Sequence, residues 1–569
     1  MRREFTIRVR LMTIVFLLAV ILLITQLYLV QIVNGKEHKE RAEAQYITSA
    51  VSTEERNDIF FRSKDGQLIA AAAMQSGYKV AINPTLLVDA AAAYTAVNAI
   101  VSIKEDRFMA SASKKGDPYE EITNRLTKDQ AASIEKLHLT GVLLVPEKWR
   151  VYPGEDRAAH ILGFVGYKDE GHERVGRYGL ERYWQDVLTG SSGLYVNFFA
   201  DIFANIGALT ADAEHSSGDI ITSIEPTVQQ RLEETLESVE QQYHSKITGG
   251  IIMDPRDGSI IAMAATPNFN PNTYNTVVDG SVFTNPLVEN VYEFGSILKP
   301  LTMAAGIDTG ILHATTTYND TGCIVRDDAK VCNFDGKARG VVTMQEVLNQ
   351  SLNTGAAFVA EKLGAQKFSQ YMLSLGFGEE TGIDLPGEVH GIVSGLKSGS
   401  ALDLASASFG QGVAVTPIAM ARALGALAHN GVIVTPHVVD QIQLKDGIRR
   451  KAWQKDERRI FAPESTDTVT DMLITVVDTA LLHGQIKMDR YSVAAKTGTA
   501  QIAKSGGSYY TDRYLHSFFG YFPARDPQFL ILLITVEPQN VNYASQTLTQ
   551  PFSDLTHFLI SYYDIPPDR

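Results

Sequence analysis

Cysteine is nearly missing from this chain of 569 residues, which holds only Cys323 and Cys332. No His/Cys set at metal-ligand spacing surrounds the pair, so the case for a thiolate metal centre is weak and no metal is expected. Excess basic charge is missing as well: 51 Lys and Arg stand against 65 Asp and Glu, a formal net charge of −14. With no basic stripe to meet phosphates, nucleic acid is excluded as a partner. The chain also lacks any repeat on the order of 20 to 50 residues and any low-complexity tract, which rules out a tandem array. Its His-Glu pair, His172-Glu173, is not followed by a histidine at the spacing of a zinc-protease helix.

What is present begins with an apolar run, Leu11 to Val33, of about 23 residues, long enough to cross a bilayer as a helix. No small-residue cleavage site follows it, so an uncleaved anchor is expected rather than a signal peptide. Arg2, Arg3, Arg8 and Arg10 precede the run, which by the positive-inside rule keeps residues 1–10 in the cytoplasm and everything after residue 34 outside. At this length more than one domain is expected. Residues 34 to 48 read as a charged helical continuation of the anchor. A mixed segment follows to residue 221, with helical stretches at Leu86 to Ile103 and Thr127 to Leu137. The run from Thr222 opens a long helix and a second domain, 222–569. There Gly249 to Thr266 reads as a hairpin around Asp254-Pro-Arg-Asp-Gly258. Thr416-Pro417 opens a helix that ends at Asn430-Gly431. Strand runs follow at Arg490 to Ala503, Phe518 to Phe522 and Phe529 to Val536, so an antiparallel sheet flanked by helices is expected and the fold class is α+β. In an exported domain Cys323 and Cys332, flanking a polar turn, are candidates for a disulfide that closes a loop.

Three short motifs carry chemistry in one order: Ser296-Ile-Leu-Lys299, Ser351-Leu-Asn353, and Lys496-Thr497-Gly498-Thr499. The first is not specific alone, because Ser-x-x-Lys recurs at Ser76/Lys79, Ser111/Lys114, Ser133/Lys136 and Ser394/Lys397. The Ser296 copy is singled out by context, since Pro300 fits the first turn of a helix and the run Leu301 to Asp308 continues it; only this copy is expected to open a helix. At a helix start the dipole favours an alkoxide or oxyanion, and the three-residue spacing puts Lys299 on the face of Ser296. A lysine acts as a base only when neutral, which its reference pKa of about 10.4 forbids in water. Burial and a second cation both lower it, and Lys496 is the candidate cation. Lys299 then shuttles the proton while Lys496 with Thr497 holds a carboxylate. Ser351 can relay a proton to a leaving amine, and the Asn353 amide can bond a peptide backbone. Together the set says acyl transfer through a covalent serine ester, with no cofactor.

These motifs resemble those of the class B penicillin-binding proteins, the monofunctional peptidoglycan D,D-transpeptidases of division and elongation. The likeness extends to the hairpin Gly249 to Asn272, to Gly410-Gln-Gly-Val-Ala-Val-Thr-Pro417, and to Arg150-Val-Tyr-Pro-Gly154, His160 to Gly166 and Gly179-Leu-Glu181. One departure stands out. The family's pedestal opens Arg-Gly-x-Ile-x-Asp-Arg, whereas Arg56-Asn-Asp-Ile-Phe-Phe-Arg62 keeps both arginines and the isoleucine but lacks the glycine and the later aspartate.

The resemblance implies a cytoplasmic tail (1–10), a transmembrane helix (11–33), a dimerisation-type pedestal (34–221) and a transpeptidase domain (222–569), held in the cytoplasmic membrane by a single pass with the catalytic domain outside. It implies that Ser296 attacks the carbonyl between two D-alanines of a peptidoglycan stem peptide, with the N–H groups of Ser296 and Thr499 as oxyanion hole and Thr497 and Thr499 on the terminal carboxylate beside Gly498. β-Lactams would mimic the donor. No glycan-polymerising motif precedes the domain, so a separate SEDS-type glycosyltransferase and other cell-wall complex proteins are expected partners. A D,D-carboxypeptidase, which uses water as acceptor, and a non-catalytic β-lactam-binding scaffold of the cell-wall complex are the alternatives.

Overall fold

The structure, a computed structural model, describes residues 55–168, 174–189, 217–444, 447–453, 457–504 and 506–569. The apolar run Leu11 to Val33 and the charged stretch after it lie outside these residues; among the described residues no helix is long and apolar enough to cross a membrane.

The chain folds as two compact units, Met74–Trp149 and Arg56–Ala73 with Arg150–Arg569. The smaller has its own core of Val80, Ile82, Val97, Phe108, Ile122 and Leu126. The helix expected over Leu86 to Ile103 is shorter, Ala90–Asn98, because the Asp89 side chain accepts a hydrogen bond from the Ala92 N–H and starts the helix there. The second predicted helix occupies Lys128–Glu135, with a reciprocal capping box between Thr127 and Gln130.

The larger unit is built on a five-stranded antiparallel sheet. Its strands are β1 (Ile247–Met253), β2 (Ile260–Thr266), β3 (Ala494–Ala503), β4 (Tyr509–Phe522) and β5 (Phe529–Val536), in spatial order β3-β4-β5-β1-β2. The β1–β2 hairpin and both C-terminal strand runs match the expectation from sequence. Near-continuous burial along β5 explains its unbroken apolar sequence: both faces are covered. On one face pack α1 (Pro226–Tyr243), which lies over β1 and β2, and the C-terminal helix Thr549–Tyr562, whose Phe552 stacks on Phe518. On the other, α4 (Pro417–Ala428) lies over β5 and β1 and the helix Pro463–Thr475 lies against β3, with α2 (Lys299–Asp308) packed on that helix and α3 (Asn353–Leu363) on α2. The Thr416 side chain caps α4 and Pro417 fills its first turn, as its sequence predicts. Strand β3 is an edge of the sheet among the described residues, the kind of position at which another chain can pair.

Also in this unit, Ile59–Arg62 pairs in parallel with Gly218–Thr222, which pairs with Val439–Leu444. The motifs from this amino-terminal part converge on one carboxylate. Glu181 is fully buried and accepts hydrogen bonds from Arg56 Nε at 2.5 Å, Arg150 Nε at 2.7 Å and the Tyr152 hydroxyl at 3.2 Å. The second retained arginine, Arg62, pairs with Asp440 at 2.5 Å. Both arginines of the departed motif therefore keep partners without its glycine.

Burial alone would push the Glu181 carboxyl up, but Arg150 and Arg56 pull it below its usual range. Its contribution to stability is therefore complete at neutral pH and is lost as pH falls through the lowered native value. Removing one partner of a buried pair leaves charge uncompensated. Glu181→Gln is expected to lower the urea-unfolding free energy at pH 7 by about 3 to 5 kcal/mol, and the gap to wild type should narrow as pH drops below about 4.

Candidate active site

The segment before α2 is pinned from two sides. Gly295–Leu298 forms a 3₁₀ turn that runs into α2, with Pro300 in the first helical turn as the sequence requires. On one side lies β3, where a Cβ on Gly498 would stand 2.5 Å from the Phe294 carbonyl oxygen and 2.4 Å from Ser517 Oγ, so only glycine fits. On the other, the Gly295 N–H donates to the Gly410 carbonyl, and Gly410, at φ +84°, has Gly295 O where a Cβ would be. Ser296, half-buried, is thus fixed between the sheet edge and the Gly410 turn.

Lys299 opens α2 and is 1% exposed. Its Nζ donates to the Ser351 carbonyl at 2.5 Å, to Asn353 Oδ1 at 2.8 Å and to Ser351 Oγ at 3.2 Å. All three acceptors are uncharged, and among the described residues no carboxylate pairs with Lys299. Burial lowers its pKa well below the ordinary lysine value, and the charge of Lys496 lowers it further. A neutral amine has two N–H donors and one lone pair. In that form the contacts to the Ser351 carbonyl and Asn353 Oδ1 remain donations, and the lone pair can accept a hydrogen bond from the Ser351 hydroxyl.

Ser351 and Asn353 reach Lys299 through a helix junction. The helix Met344–Asn349 ends, Ser351 turns left-handed at φ +54°, and α3 starts at Asn353. For a residue with a side chain that conformation costs about 1 to 2 kcal/mol, offset here by the aim of the Ser351 carbonyl and hydroxyl at one amine. Asn353 has a structural use beside the expected one. Its Nδ2 donates to the Cys332 carbonyl at 2.9 Å while its Oδ1 accepts from Lys299, so both ends of the amide are engaged within the protein. In this structure it fastens Lys299, and a second N–H and a second lone pair of the amide are not used by these two bonds.

Lys496, 3% exposed, lies on β3 opposite Phe519, and its Nζ donates to the Thr497 carbonyl at 3.0 Å. Burial lowers its pKa to about 8. Strand alternation sends Thr497 and Thr499 to the face opposite Lys496. The Thr499 hydroxyl accepts a hydrogen bond from the Ala544 N–H at 3.1 Å. Cys323 and Cys332 sit directly opposite each other in the hairpin Cys323–Arg326/Ala329–Cys332 and are joined by a disulfide.

The helix-opening criterion for Ser296 does not hold, because Ser394 also opens a helix, the four-residue Ser394–Lys397. The surroundings of the lysine separate the copies instead. Lys79 pairs with Glu121, Lys114 pairs with Glu120, and Lys136 and Lys397 are exposed. Lys299 is buried with no acid. Two contributors had no sequence signal: the Cys332 carbonyl that holds Asn353 and the Ala544 N–H that holds Thr499 act through their backbones, which any residue supplies.

A pH profile follows from these groups. If Lys299 must be neutral and Lys496 charged, acylation should rise with pH through the lowered pKa of Lys299 and decline above about 8 as Lys496 discharges. Lys496→Gln removes the like charge, so the pKa of Lys299 rises, the acidic limb moves to higher pH and the decline near 8 disappears. Stopped-flow acylation rates across pH test both shifts.

The chain resembles known proteins over most of its length. Residues 248–556 match the family model for the penicillin binding protein transpeptidase domain, and residues 56–219 match that for the penicillin-binding protein dimerisation domain. It is 28% identical to stage V sporulation protein D of Bacillus subtilis over 560 residues, 96% of this chain and 84% of that one. It is likewise 28% identical to the peptidoglycan D,D-transpeptidase MrdA of Acinetobacter baumannii over 469 residues, 74% of this chain and 67% of the relative. The crystal structure of penicillin binding protein 3 from Mycobacterium tuberculosis, complexed with aztreonam, superposes with a TM-score of 0.67 at 21% identity, covering 90% of this chain and 97% of that one, a likeness of fold.

Proposed function

The chain belongs to the penicillin-binding protein transpeptidase family as a class B peptidoglycan D,D-transpeptidase, and we propose that Ser296 is its acylated nucleophile, with Lys299 as the base. The observation that carries this assignment is the burial of the Lys299 amine among uncharged acceptors, one helical turn from Ser296 and under the field of Lys496.

In the first step the Ser296 Oγ–C bond forms at the carbonyl between two D-alanines while its proton passes to Lys299. The oxyanion is received by the backbone N–H groups of Ser296 and Thr499, a type of contact whose loss elsewhere costs about 3 to 4 kcal/mol. The C–N bond then breaks, and the departing D-alanine takes a proton from Lys299 through the Ser351 hydroxyl. Thr497 and Thr499 receive its carboxylate while Lys496, on the opposite face of the strand, keeps the local potential positive, and Gly498 lets the donor backbone lie close to the edge strand. An amine from a neighbouring stem peptide resolves the ester and forms the crosslink. A β-lactam follows the first step, and its ring-opened acyl group stays on Ser296.

Leu11 to Val33 anchors the protein by a single pass in the cytoplasmic membrane, with residues 34–221 as pedestal and 222–569 as catalytic domain. A SEDS-type glycosyltransferase supplies the glycan strands that this chain crosslinks. Exchange of Leu11–Val33 for an unrelated anchor is expected to abolish co-purification with that polymerase; retention would assign the contact to the pedestal.

Intact-mass measurement of the extracellular portion after exposure to a penicillin tests the nucleophile. A single stable adduct is expected on the wild type and on the decoy variant Ser394→Ala, and none on a folded Ser296→Ala. The opposite pattern for the two variants would overturn the assignment.

A further inference from the structure

The bond that fixes Asn353 is itself fixed from behind. Asn353 Nδ2 donates to the carbonyl of Cys332, and the residues that follow these two, Thr354 and Asn333, both bind one carboxylate. That carboxylate is Asp320, 1% exposed, at the end of the strand Thr317–Asp320. The Thr354 hydroxyl donates to Oδ1 at 2.7 Å, and Asn333 Nδ2 lies 3.0 Å from each oxygen. Backbone N–H groups of Gly322 and Arg339 complete the set at 3.0 and 2.9 Å. Asn333 Oδ1 also accepts from the Thr354 N–H at 3.2 Å, so hairpin and helix start are cross-tied. We propose that Asp320 is a positioning residue for acyl transfer, holding α3 and the disulfide-bonded hairpin in the register that sets Asn353, and through it Lys299.

The chemistry calls for a carboxylate at this point. The partners are all donors, and an ionised carboxylate offers only acceptors, about four lone-pair sites on two oxygens. An amide in its place turns an NH2 group toward one or more of those donors. Burial pushes the Asp320 carboxyl up, but the hydrogen bonds from Thr354, Gly322, Asn333 and Arg339 outweigh it and hold the group below its usual range. These hydrogen bonds therefore favour the ionised form of the anchor. A shift of the hairpin moves Cys332 O, and with it the acceptor Asn353 Oδ1 that faces the amine. Misplacement by about 1 Å near reacting groups costs on the order of a hundredfold in rate.

This inference rests on the assignment of Ser296 and Lys299 above, and the experiment separates the two. Asp320→Asn and Thr354→Val are made in the full-length protein, purified in detergent, and checked by thermal melting. The dissociation constant and acylation rate constant for a penicillin are then measured across pH. Thr354→Val nearly keeps the side-chain volume and deletes the hydroxyl, with its link to Asp320 and its weaker contacts to Asn333 and Tyr318, so it serves where Asp320→Asn fails to fold. The expected result is an acylation rate constant lowered about tenfold to a hundredfold at a little-changed dissociation constant. The acidic limb should move to lower pH, because the Lys299 ammonium loses a well-placed acceptor. Folded variants with wild-type rate and limb, or a rate loss that follows only the unfolded fraction while the limb stays put, overturn the role of Asp320. A wild type that forms no adduct overturns the Ser296 assignment and this inference with it.

Discussion

Everything at this site depends on an amine buried without a counter-charge. Lys299 is taken out of water at the start of α2, with carbonyl, amide and hydroxyl oxygens around its nitrogen and Lys496 as the nearby charge. A carboxylate in the same place would lock the ammonium and abolish a base. Burial and a like charge act in one direction, toward the neutral form that can take a hydroxyl proton. The rest of the larger unit can be understood as the means of keeping that arrangement dry and in register.

The same unit buries charge in the opposite way at Glu181, where two guanidiniums and a phenol satisfy one carboxylate. Removal of Glu181 takes away the carboxylate that both buried guanidiniums share, so the knot acts as a fastener of the amino-terminal segment. The contrast separates structural from chemical burial. Glu181 is held in its charged form by its partners, and Lys299 is driven from its charged form by theirs. Decoy lysines fall in the first class or in solvent: Lys79 and Lys114 are paired, and Lys397 is exposed.

Much of the scaffold was legible because local chemistry and tertiary context agree. The β1–β2 hairpin has an Asp-Pro-x-Asp-Gly turn, α4 has its Thr cap and Pro, and the buried C-terminal strands are apolar throughout. Pro300 likewise marked the helix start beside Ser296. The criterion that only this Ser-x-x-Lys opens a helix misled, since Ser394–Lys397 does so for one turn. A helix start is a local property and says nothing of what the lysine meets across the fold. Asn353 shows the same limit: its amide was legible as a hydrogen-bonding group, but its partners, Cys332 O and Lys299 Nζ, lie 21 and 54 positions away.

The sequence by itself determined the order of the motifs, the identity of the nucleophile candidate, the glycines that allow close backbone approach, and the pairing of Ser296 with a lysine one turn on. These are matters of residue type and short spacing, set by rotamers, caps and the period of helix and strand. Only the tertiary structure decided that Lys299 is dry and unpaired, that Lys496 bears on it, and that Asp320 stands behind Asn353. Solvation and charge proximity depend on which segments meet in space, and the segments that meet here, from Lys299, Asp320, Cys332, Asn353 and Lys496, are brought together by the fold.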